Sequence, residues 1–346
     1  MLKAGLIGCG RIVEQGHVPA FEELAGRVQV VAVSDPVEAR RNLIGDRLGV
    51  PAAARFADYH DMLKLDGLDF VDMALPHFLH EEAIVAAAKA GQNILTEKPL
   101  TTSMASANRI IDAVEKAGVK MCVIHNYRHG AAAAKAIELA KSGVIGQPFL
   151  IRYEYLGGSH YAGAAGYDPD WRTKSGRGGG GALIDNGYHY LYMAETLMGS
   201  PIVQAYGRVG TWVQHQDVED IAAVLLAHAN GGTTSLQSGW GVKGGGQAVG
   251  EVHGTLGSLR FVRGGNPLEI YINAEGQWKP VELENPNVNA FAGIFSRFFD
   301  AMETGGPMPV SVYEARHNLA IVMSGYASSK SGQAVNVSDV EFGGER

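Results

Sequence analysis

The chain is poor in the features that belong to secreted or membrane-bound proteins. Its 346 residues include two cysteines, too few for a disulfide framework, which indicates a reducing compartment. No run of about 18 apolar residues is present, so we expect no helix that crosses a membrane. The N-terminal residues hold too short an apolar stretch for a signal peptide. We therefore expect a cytoplasmic protein with no membrane partner.

Positive charge is also scarce. The net charge of −7 at pH 7 argues against a nucleic-acid-binding protein, which needs a basic face. Hydrophobic residues make up 46% of the chain, an ordinary globular proportion that excludes disorder over most of its length. At roughly 150 residues per domain, the length favours two domains with cores that need neither disulfides nor metal.

Glycine, by contrast, is abundant. The chain has 46 glycines, well above the usual share of about 7%. They show no G-X-Y period, which excludes collagen. Of these, 25 lie between residues 151 and 265. We attribute them to sharp turns and to a segment, residues 178–181, where the backbone is closely approached.

The first 125 residues alternate between strands and helices. Two helical patterns, over residues 79–90 and 103–117, each stop at a glycine. The predicted strands are residues 4–7, 28–34, 70–75, 93–96 and 120–124. Such alternation predicts an α/β domain with a parallel sheet covered on both faces, over residues 1–125.

Residues 126–346 have a different pattern, in which strands follow one another without intervening helices. The predicted strands are residues 149–156, 202–213, 221–228, 233–240, 258–262 and 268–272, with turns at 230–232 and 264–266. The predicted helices are residues 131–141, 183–198, 290–304 and 313–329. This predicts an α+β C-terminal domain with a large, mostly antiparallel open sheet. We expect substrate binding and oligomerisation to belong to this domain. We expect its last helices to pack back toward the first domain.

A glycine-rich turn follows the first strand. Gly8-Cys9-Gly10 lies between a strand and a helix, where such glycines let a dinucleotide pyrophosphate approach the backbone. Val13 stands at the third position, where glycine or alanine is usual. Asp35 ends the second strand and is placed to accept hydrogen bonds from the adenosine ribose and to repel a 2′-phosphate. The pattern therefore predicts a Rossmann domain that binds NAD, with NADP less favoured.

Two further segments carry a family resemblance. They are Glu97-Lys98-Pro99 after a short strand, and residues 179–189, which read G-G-G-A-L-I-D-N-G-Y-H. Together with the glycine turn they resemble the glucose–fructose oxidoreductase/inositol dehydrogenase/MocA (Gfo/Idh/MocA) family of pyridine-nucleotide oxidoreductases. Further matches that extend the resemblance over nearly the whole chain are residues 76–80, 143–146, 171–172, 254–257 and 314–328.

The resemblance implies an NAD-dependent oxidoreductase acting on a secondary hydroxyl, or its ketone, of a sugar, a cyclitol or a sugar derivative. In such a family the lysine lies near the nicotinamide and the proline after it is commonly preceded by a cis bond. The expected cofactor-binding residues are Gly8, Gly10, Arg11, Ile12, Asp35, Pro76, His77, His80, Glu97 and Lys98. For His80, a place at the start of a helix is equally open. We also expect the backbone of residues 178–181 to pass close to the nicotinamide or the substrate.

Three residues suit the chemistry of alcohol oxidation. His189 is the natural base for the hydroxyl proton, because an unperturbed imidazole titrates near neutrality. Asp185 lies four residues earlier, on the same face of a helix, where it orients the imidazole or contacts substrate. Lys98 can hydrogen-bond the same oxygen and stabilise its developing negative charge. Each residue alone also has a structural reading, as a helix-start carboxylate, a half-buried histidine or a solvated lysine.

Aromatic and polar residues around these motifs suit a polyhydroxylated ring. The expected substrate-binding residues are Lys98, Tyr127, Arg128, Trp171, Arg172, Asp185 and His189. The two arginines also leave an acidic sugar open. His125, His129 and His160 have no metal-ligand spacing, so we expect no metal and place them in a pocket or at the surface.

Two other functions remain open from the sequence. One is a glycoside hydrolase or lyase that oxidises its substrate transiently, eliminates a group and re-reduces, with no net redox. The other is a non-catalytic protein that senses NAD or a sugar. In each case the exposed face of the C-terminal sheet predicts a homodimer or homotetramer.

Overall fold

The computed structural model describes residues 1–244, 248–261 and 267–343. The predicted turn at residues 264–266, and Val262 at the end of a predicted strand, lie outside these ranges. The chain forms two compact units. The first unit comprises Met1–Asn126, Ala162–Trp171 and Asn289–Arg316, and the second Tyr127–Tyr161, Arg172–Val288 and His317–Arg346.

The described residues form both strands and helices in each unit. The strands are β1 (Leu2–Ile7), β2 (Val28–Ser34), β3 (Arg55–Phe56), β4 (Phe70–Met73), β5 (Asn93–Thr96), β6 (Met121–Val123), β7 (Pro148–Leu156), β8 (Ile202–Gly210), β9 (Ile221–His228), β10 (Thr233–Gly239), β11 (Ala248–Gly254), β12 (Gly257–Phe261), β13 (Leu268–Ile272), β14 (Gln277–Pro280) and β15 (Val335–Asn336). The α-helices are α1 (Val18–Glu23), α2 (Glu38–Arg47), α3 (Tyr59–Met62), α4 (His80–Lys89), α5 (Met104–Ala117), α6 (Ala131–Lys141), α7 (Ser175–Gly178), α8 (Tyr188–Met198), α9 (Ala290–Thr304), α10 (Val312–Ser331) and α11 (Val337–Glu341). Two π-helical turns, Val13–His17 and Leu183–Gly187, run directly into α1 and α8.

The sheet of the first unit has the strand order β3-β2-β1-β4-β5-β6, with neighbouring strands parallel. All four residues of β4 are buried, as expected for a parallel sheet covered on both faces. Phe70 of β4 packs against Phe298 and Phe299 of α9, with ring centroids 5.1 and 5.6 Å apart. The predicted Rossmann fold is confirmed, and β3, a two-residue strand, is an addition to it.

The sheet of the second unit has the strand order β14-β13-β12-β11-β7-β10-β9-β8-β15. Among the described residues, β7 and β10 form its one parallel pair. Side chains of β9 alternate between buried and exposed, so that Val224 points inward while Leu225 is 51% exposed. The predicted mostly antiparallel sheet with one open face is therefore confirmed.

Two of the differences from the predicted strands have clear local reasons. The strand predicted over 202–213 ends at Gly210, because the Asp220 carboxylate accepts the N–H groups of residues 212, 213 and 214 at 2.7–2.9 Å and turns the chain away. Strand β11 was not predicted, since Gly250 breaks its alternation. A Cβ on Gly250 would lie 2.7 Å from the Tyr153 ring on β7, so packing requires this glycine.

No helix in the described part of the chain is long and apolar enough to cross a membrane.

Candidate active site

The glycine turn after β1 has the shape that the fingerprint predicts. Gly8 has φ +93°, and a Cβ there would lie 2.4 Å from the carbonyl oxygen of Ala74, so a larger residue is excluded. At Gly10 a Cβ would meet no atom within 4 Å, which leaves space beside the turn. Helical residues, Arg11 and Ile12 first, run from 11 to 23. The turn and this helix start fit the pyrophosphate of a dinucleotide.

Asp35, at the end of β2, lies against this turn. Its Oδ2 accepts the Cys9 N–H at 2.7 Å, and its Oδ1 accepts the Val37 N–H at 2.8 Å. The residue is 3% exposed, so its carboxylate is fixed by the two loops. Nearby, Arg40 is bound to the Cys9 carbonyl at 2.8 Å and to Glu14 at 2.8 Å.

A segment from later in the chain belongs to the first unit. Residues 162–171, called the 162–171 segment below, contact three of its loops. Arg11 Nη1 donates to the Ala162 carbonyl at 3.1 Å, and the Tyr167 hydroxyl donates to Asp35 Oδ2 at 2.7 Å. The Trp171 ring packs edge-on to His77, with centroids 4.8 Å apart. The segment therefore touches the loops that follow β1, β2 and β4.

The loop after β4 holds the predicted residues Pro76, His77 and His80. Pro76 precedes a 3₁₀ turn (His77–Leu79), and His80 is the first residue of α4. His80 Nε2 donates to the Leu75 carbonyl at 2.9 Å. Burial lowers the pKa of His80, so the neutral ring ties the helix start to the loop. His80 thus occupies the helix-start position, and its ring contacts the loop backbone.

Glu97 and Lys98 follow β5. The Lys98–Pro99 peptide is cis, as the resemblance implies. Glu97 Oε2 accepts the Lys98 N–H at 3.1 Å, while Glu97 Oε1 lies 3.2 Å from His17 Nε2. Lys98 is half-buried. The Glu97 carboxylate therefore links the backbone of Lys98 to the buried imidazole of His17.

His17 is the centre of a buried charged cluster with Asp72 and Glu97. Its Nδ1 lies 2.7 Å from Asp72 Oδ2. Burial alone would lower the pKa of His17, but the carboxylates of Asp72 and Glu97 offset it and raise the pKa to about 10. His17 is thus an imidazolium at neutral pH. Sequence reasoning missed it, because nothing in the pattern of an isolated helical histidine reveals partners 55 and 80 residues away.

In the second unit, Asp185 lies in the π-helical turn and His189 in the first turn of α8. His189 is 8% exposed. Its Nδ1 lies 2.8 Å from the Tyr192 hydroxyl, and its ring stacks on Tyr127 with centroids 3.9 Å apart and an interplanar angle of 8°. Asp185 Oδ2 lies 3.3 Å from Arg172 Nε. The imidazole is thus held by two tyrosines, while the carboxylate forms an ion pair.

Two arginines predicted to bind substrate lie over tyrosine rings of the second unit. Arg128 lies over the Tyr192 ring at 5.1 Å, and Arg172 lies over the Tyr161 ring at 5.3 Å. Tyr190 packs against Tyr127, Tyr153 and Tyr155, with ring centroids 4.9–6.0 Å apart. The second unit therefore holds two groups of predicted residues: Tyr127 stacks on His189, whose partner Tyr192 lies under Arg128, and Arg172 pairs with Asp185. Trp171 and Lys98 belong to the first unit.

The glycine run before Asp185 is crowded by the protein itself. A Cβ on Gly181 would lie 1.9 Å from the Glu219 carbonyl oxygen, and one on Gly180 would lie 2.1 Å from the Tyr326 hydroxyl. The Glu219 carboxylate accepts the N–H groups of Gly181 and Leu183 at 2.8 and 2.9 Å. The run is glycine-rich because Glu219 and Tyr326 approach its backbone so closely.

Two family models match successive parts of the chain. One, described as an oxidoreductase family with an NAD-binding Rossmann fold, matches residues 2–148. The other, the C-terminal domain of the same family, matches residues 133–260. Together they span about three quarters of the sequence. The chain belongs to the Gfo/Idh/MocA family of oxidoreductases.

Curated relatives and solved structures agree with this membership. A D-apiose dehydrogenase of Paraburkholderia graminis is 27% identical and aligns over 98% of this chain and 90% of its own. A levoglucosan dehydrogenase of Pseudarthrobacter phenanthrenivorans is 29% identical over 75% of this chain and 73% of its own. The structure of a levoglucosan dehydrogenase with NADH and levoglucosan superposes with a TM-score of 0.85, at 23% identity, over 97% of this chain and 99% of that one. At 23% identity, the similarity to this solved structure shows a shared fold.

Sequence reasoning missed Tyr192, Tyr190 and Glu219, which contact the predicted residues of this Gfo/Idh/MocA chain. Tyr192 lies three residues after His189, so helical spacing alone would have placed it beside the imidazole. Glu219 lies 38 residues after Gly181, and no local pattern links them.

Proposed function

We propose that the protein is an NAD-dependent dehydrogenase of a sugar, a cyclitol or a sugar derivative. It transfers a hydride between a secondary hydroxyl, or its ketone, and the nicotinamide. One observation carries the proposal. His189 lies at the end of the family's glycine-rich signature, and its imidazole is fixed by a hydrogen bond to Tyr192 and by stacking on Tyr127. The named activities of the D-apiose and levoglucosan dehydrogenases support the substrate class.

His189 acts as the base for the hydroxyl proton. With Nδ1 hydrogen-bonded to the Tyr192 hydroxyl, a proton on Nδ1 leaves the lone pair on Nε2 for the substrate. The Tyr192 oxygen also accepts the Tyr127 N–H at 3.2 Å, which fixes it. The stacked Tyr127 ring prevents the imidazole from rotating. When bound, the cofactor supplies the acceptor for the hydride.

Lys98 stabilises the negative charge that develops on the substrate oxygen. Glu97 accepts the backbone N–H of Lys98 and so fixes the position of the Lys98 backbone. This limits where the ammonium group of the side chain can lie. Asp185 and Arg172 bind substrate hydroxyls, since their ion pair offers both an acceptor and donors. Further contacts with the substrate are made by Tyr127, Arg128 and Trp171.

NAD is the preferred cofactor over NADP. Asp35 presents a carboxylate where a 2′-phosphate would lie, which disfavours that group. The neighbouring arginines are engaged elsewhere: Arg40 pairs with Glu14, and Arg41 donates to the carbonyl oxygens of Asp35 and Pro36 at 3.3 Å. Gly8, Gly10, Arg11 and Ile12 form the pyrophosphate site, and Pro76, His77, His80 and Glu97 shape the nicotinamide end.

The protein acts in the cytoplasm as a homodimer or homotetramer, joined through the open face of the second unit's sheet. A row of cross-strand neighbours on that face supports this: Tyr206 pairs with Leu225, and these are 44% and 51% exposed. Static light scattering tests it, and Leu225→Glu should shift the mass toward the monomer. A wild-type monomer at micromolar concentration would contradict the proposal.

A panel of sugars, cyclitols and their acids, followed at 340 nm with NAD and NADP, tests the activity. Replacing Lys98 or His189 by Ala should lower turnover by roughly two orders of magnitude or more. The controls are Lys89→Ala and His215→Ala, at two exposed positions. If both site variants turn over normally, the assigned roles are wrong. Product formation without net NADH would instead indicate oxidation-assisted elimination.

A further inference from the structure

The Asp35 carboxylate has little hydrogen-bonding capacity left for a ribose. An ionised carboxylate offers about four lone-pair positions. Three are used, by the N–H groups of Cys9 and Val37 and by the hydroxyl of Tyr167. Both positions on Oδ2 are taken, and one remains on Oδ1. An adenosine ribose brings two hydroxyl donors, so Asp35, with Tyr167 bound to it, accommodates one of them.

Tyr167 occupies one position on the carboxylate and offers its own oxygen as an acceptor in its place. Its hydroxyl has one proton, which is donated to Asp35 Oδ2 at 2.7 Å. Burial, and then the Asp35 carboxylate, raise the pKa of Tyr167 far above its ordinary value, so the group stays neutral. With its proton committed, the phenol oxygen presents only lone pairs to its surroundings. It therefore extends the acceptor surface of the carboxylate.

The 162–171 segment holds this tyrosine against the loop after β2. Gly166 has φ +95°, and a Cβ there would lie 3.0 Å from Val37 Cγ1, so the backbone lies directly on that loop. The segment is fixed at one end by Arg11 and at the other by Trp171 on His77. Tyr167 is thus placed by contacts on both sides.

We propose that Tyr167 and Asp35 together form the adenosine-ribose site, with one ribose hydroxyl donating to Asp35 Oδ1 and the other to the Tyr167 oxygen. The inference rests on the proposed use of NAD and adds a binding residue that lies 132 positions from Asp35 in sequence. The two groups assigned to the ribose are both acceptors. The site recognises a group that brings two donors, and the free cis-diol of NAD is such a group.

Isothermal titration of NADH into wild type and Tyr167→Phe tests the proposal by binding rather than turnover. Losing one neutral hydrogen bond should weaken NADH binding about 3- to 10-fold. Tyr59→Phe is the matched control, since it also removes a tyrosine–carboxylate hydrogen bond in the first unit, to Glu82 at 3.3 Å. It should leave NADH binding unchanged.

The same titration with NADH analogues that lack the 2′- or the 3′-hydroxyl of the adenosine ribose completes a double-mutant cycle. One analogue should lose several-fold affinity for wild type and much less for Tyr167→Phe. Additive losses with both analogues would overturn the proposal. Equal or tighter NADH binding by Tyr167→Phe would show instead that Tyr167 competes with the ribose for Asp35. Failure of wild type to bind NADH at all would overturn the proposed function as well.

Discussion

His17 should remain positively charged in the folded protein well above neutral pH. Its ring is fully buried against Phe291 and Phe295 and lies between the carboxylates of Asp72 and Glu97. Replacing Asp72 by Asn removes the nearer negative charge but keeps the size of the side chain. The pKa of His17 should then fall, because burial lowers it and only the Glu97 carboxylate still raises it.

The magnitude follows from the two states of the chain. In the folded protein His17 has a pKa of about 10, against 6.5 for an unperturbed histidine. Because folding raises this pKa, the stabilisation is complete below pH 6.5 and is lost as the pH rises through 10. A difference of that size corresponds to about 5 kcal/mol at most. The free energy of unfolding contributed by this cluster should therefore fall steadily between pH 6.5 and 10.

Nuclear magnetic resonance of ¹⁵N-histidine-labelled protein measures the charge directly. The His17 signal, assigned with His17→Gln, should show an imidazolium at pH 8 in wild type, and Asp72→Asn should shift the titration to lower pH. Asp61→Asn, which removes an exposed carboxylate paired with Lys64, is the control and should leave His17 unchanged. A neutral His17 ring at pH 8 in folded wild type would refute the reasoning.

Three further predictions concern the second unit. Glu219→Gln should lower the free energy of unfolding by about 1–3 kcal/mol in denaturant titrations, because buried N–H donors lose a carboxylate acceptor. Gly181→Ala should lower the free energy of unfolding by about 3 kcal/mol or more, since the added Cβ meets a backbone oxygen. Gly176→Ala is the control: its Cβ would enter open space, and the free energy of unfolding should change by less than about 0.5 kcal/mol. Equal effects of the two substitutions would contradict the close-approach explanation. Tyr192→Phe should lower turnover about tenfold and move the acidic limb of the pH–turnover profile, because the imidazole of His189 loses its Nδ1 partner. An unchanged pH–turnover profile would show that Tyr192 does not position the base.

Much of the fold could be predicted from periodicity. The bounds of β2, β5, β9, β13, α6 and α9 are those expected from the sequence, because each is a clean apolar pattern between turn residues. Short or interrupted strands could not be found in this way. β3 has two residues and β11 contains Gly250, so neither shows an alternation long enough to recognise.

The candidate site was predictable where its residues lie close in sequence, and less so where they are brought together by the fold. Asp185 and His189 share one helical stretch, and their neighbourhood was expected. Their partners were not: Arg172 was predicted as a substrate residue rather than as the ion-pair partner of Asp185. His125, expected in a pocket or at the surface, is fully buried 3.8 Å from Glu314. Contacts of this kind depend on tertiary packing, which local patterns do not encode.

The discontinuity of the first unit has a consequence for how the chain is made. Residues 1–126 contain its whole parallel sheet, but Phe21 and Phe70 are covered by Phe295, Phe298 and Phe299 from α9. During synthesis these aromatic surfaces stay uncovered until α9 has been made, long after the last strand of the sheet. The dinucleotide-binding unit therefore completes its core only after strands β7 to β14 of the second unit have been made.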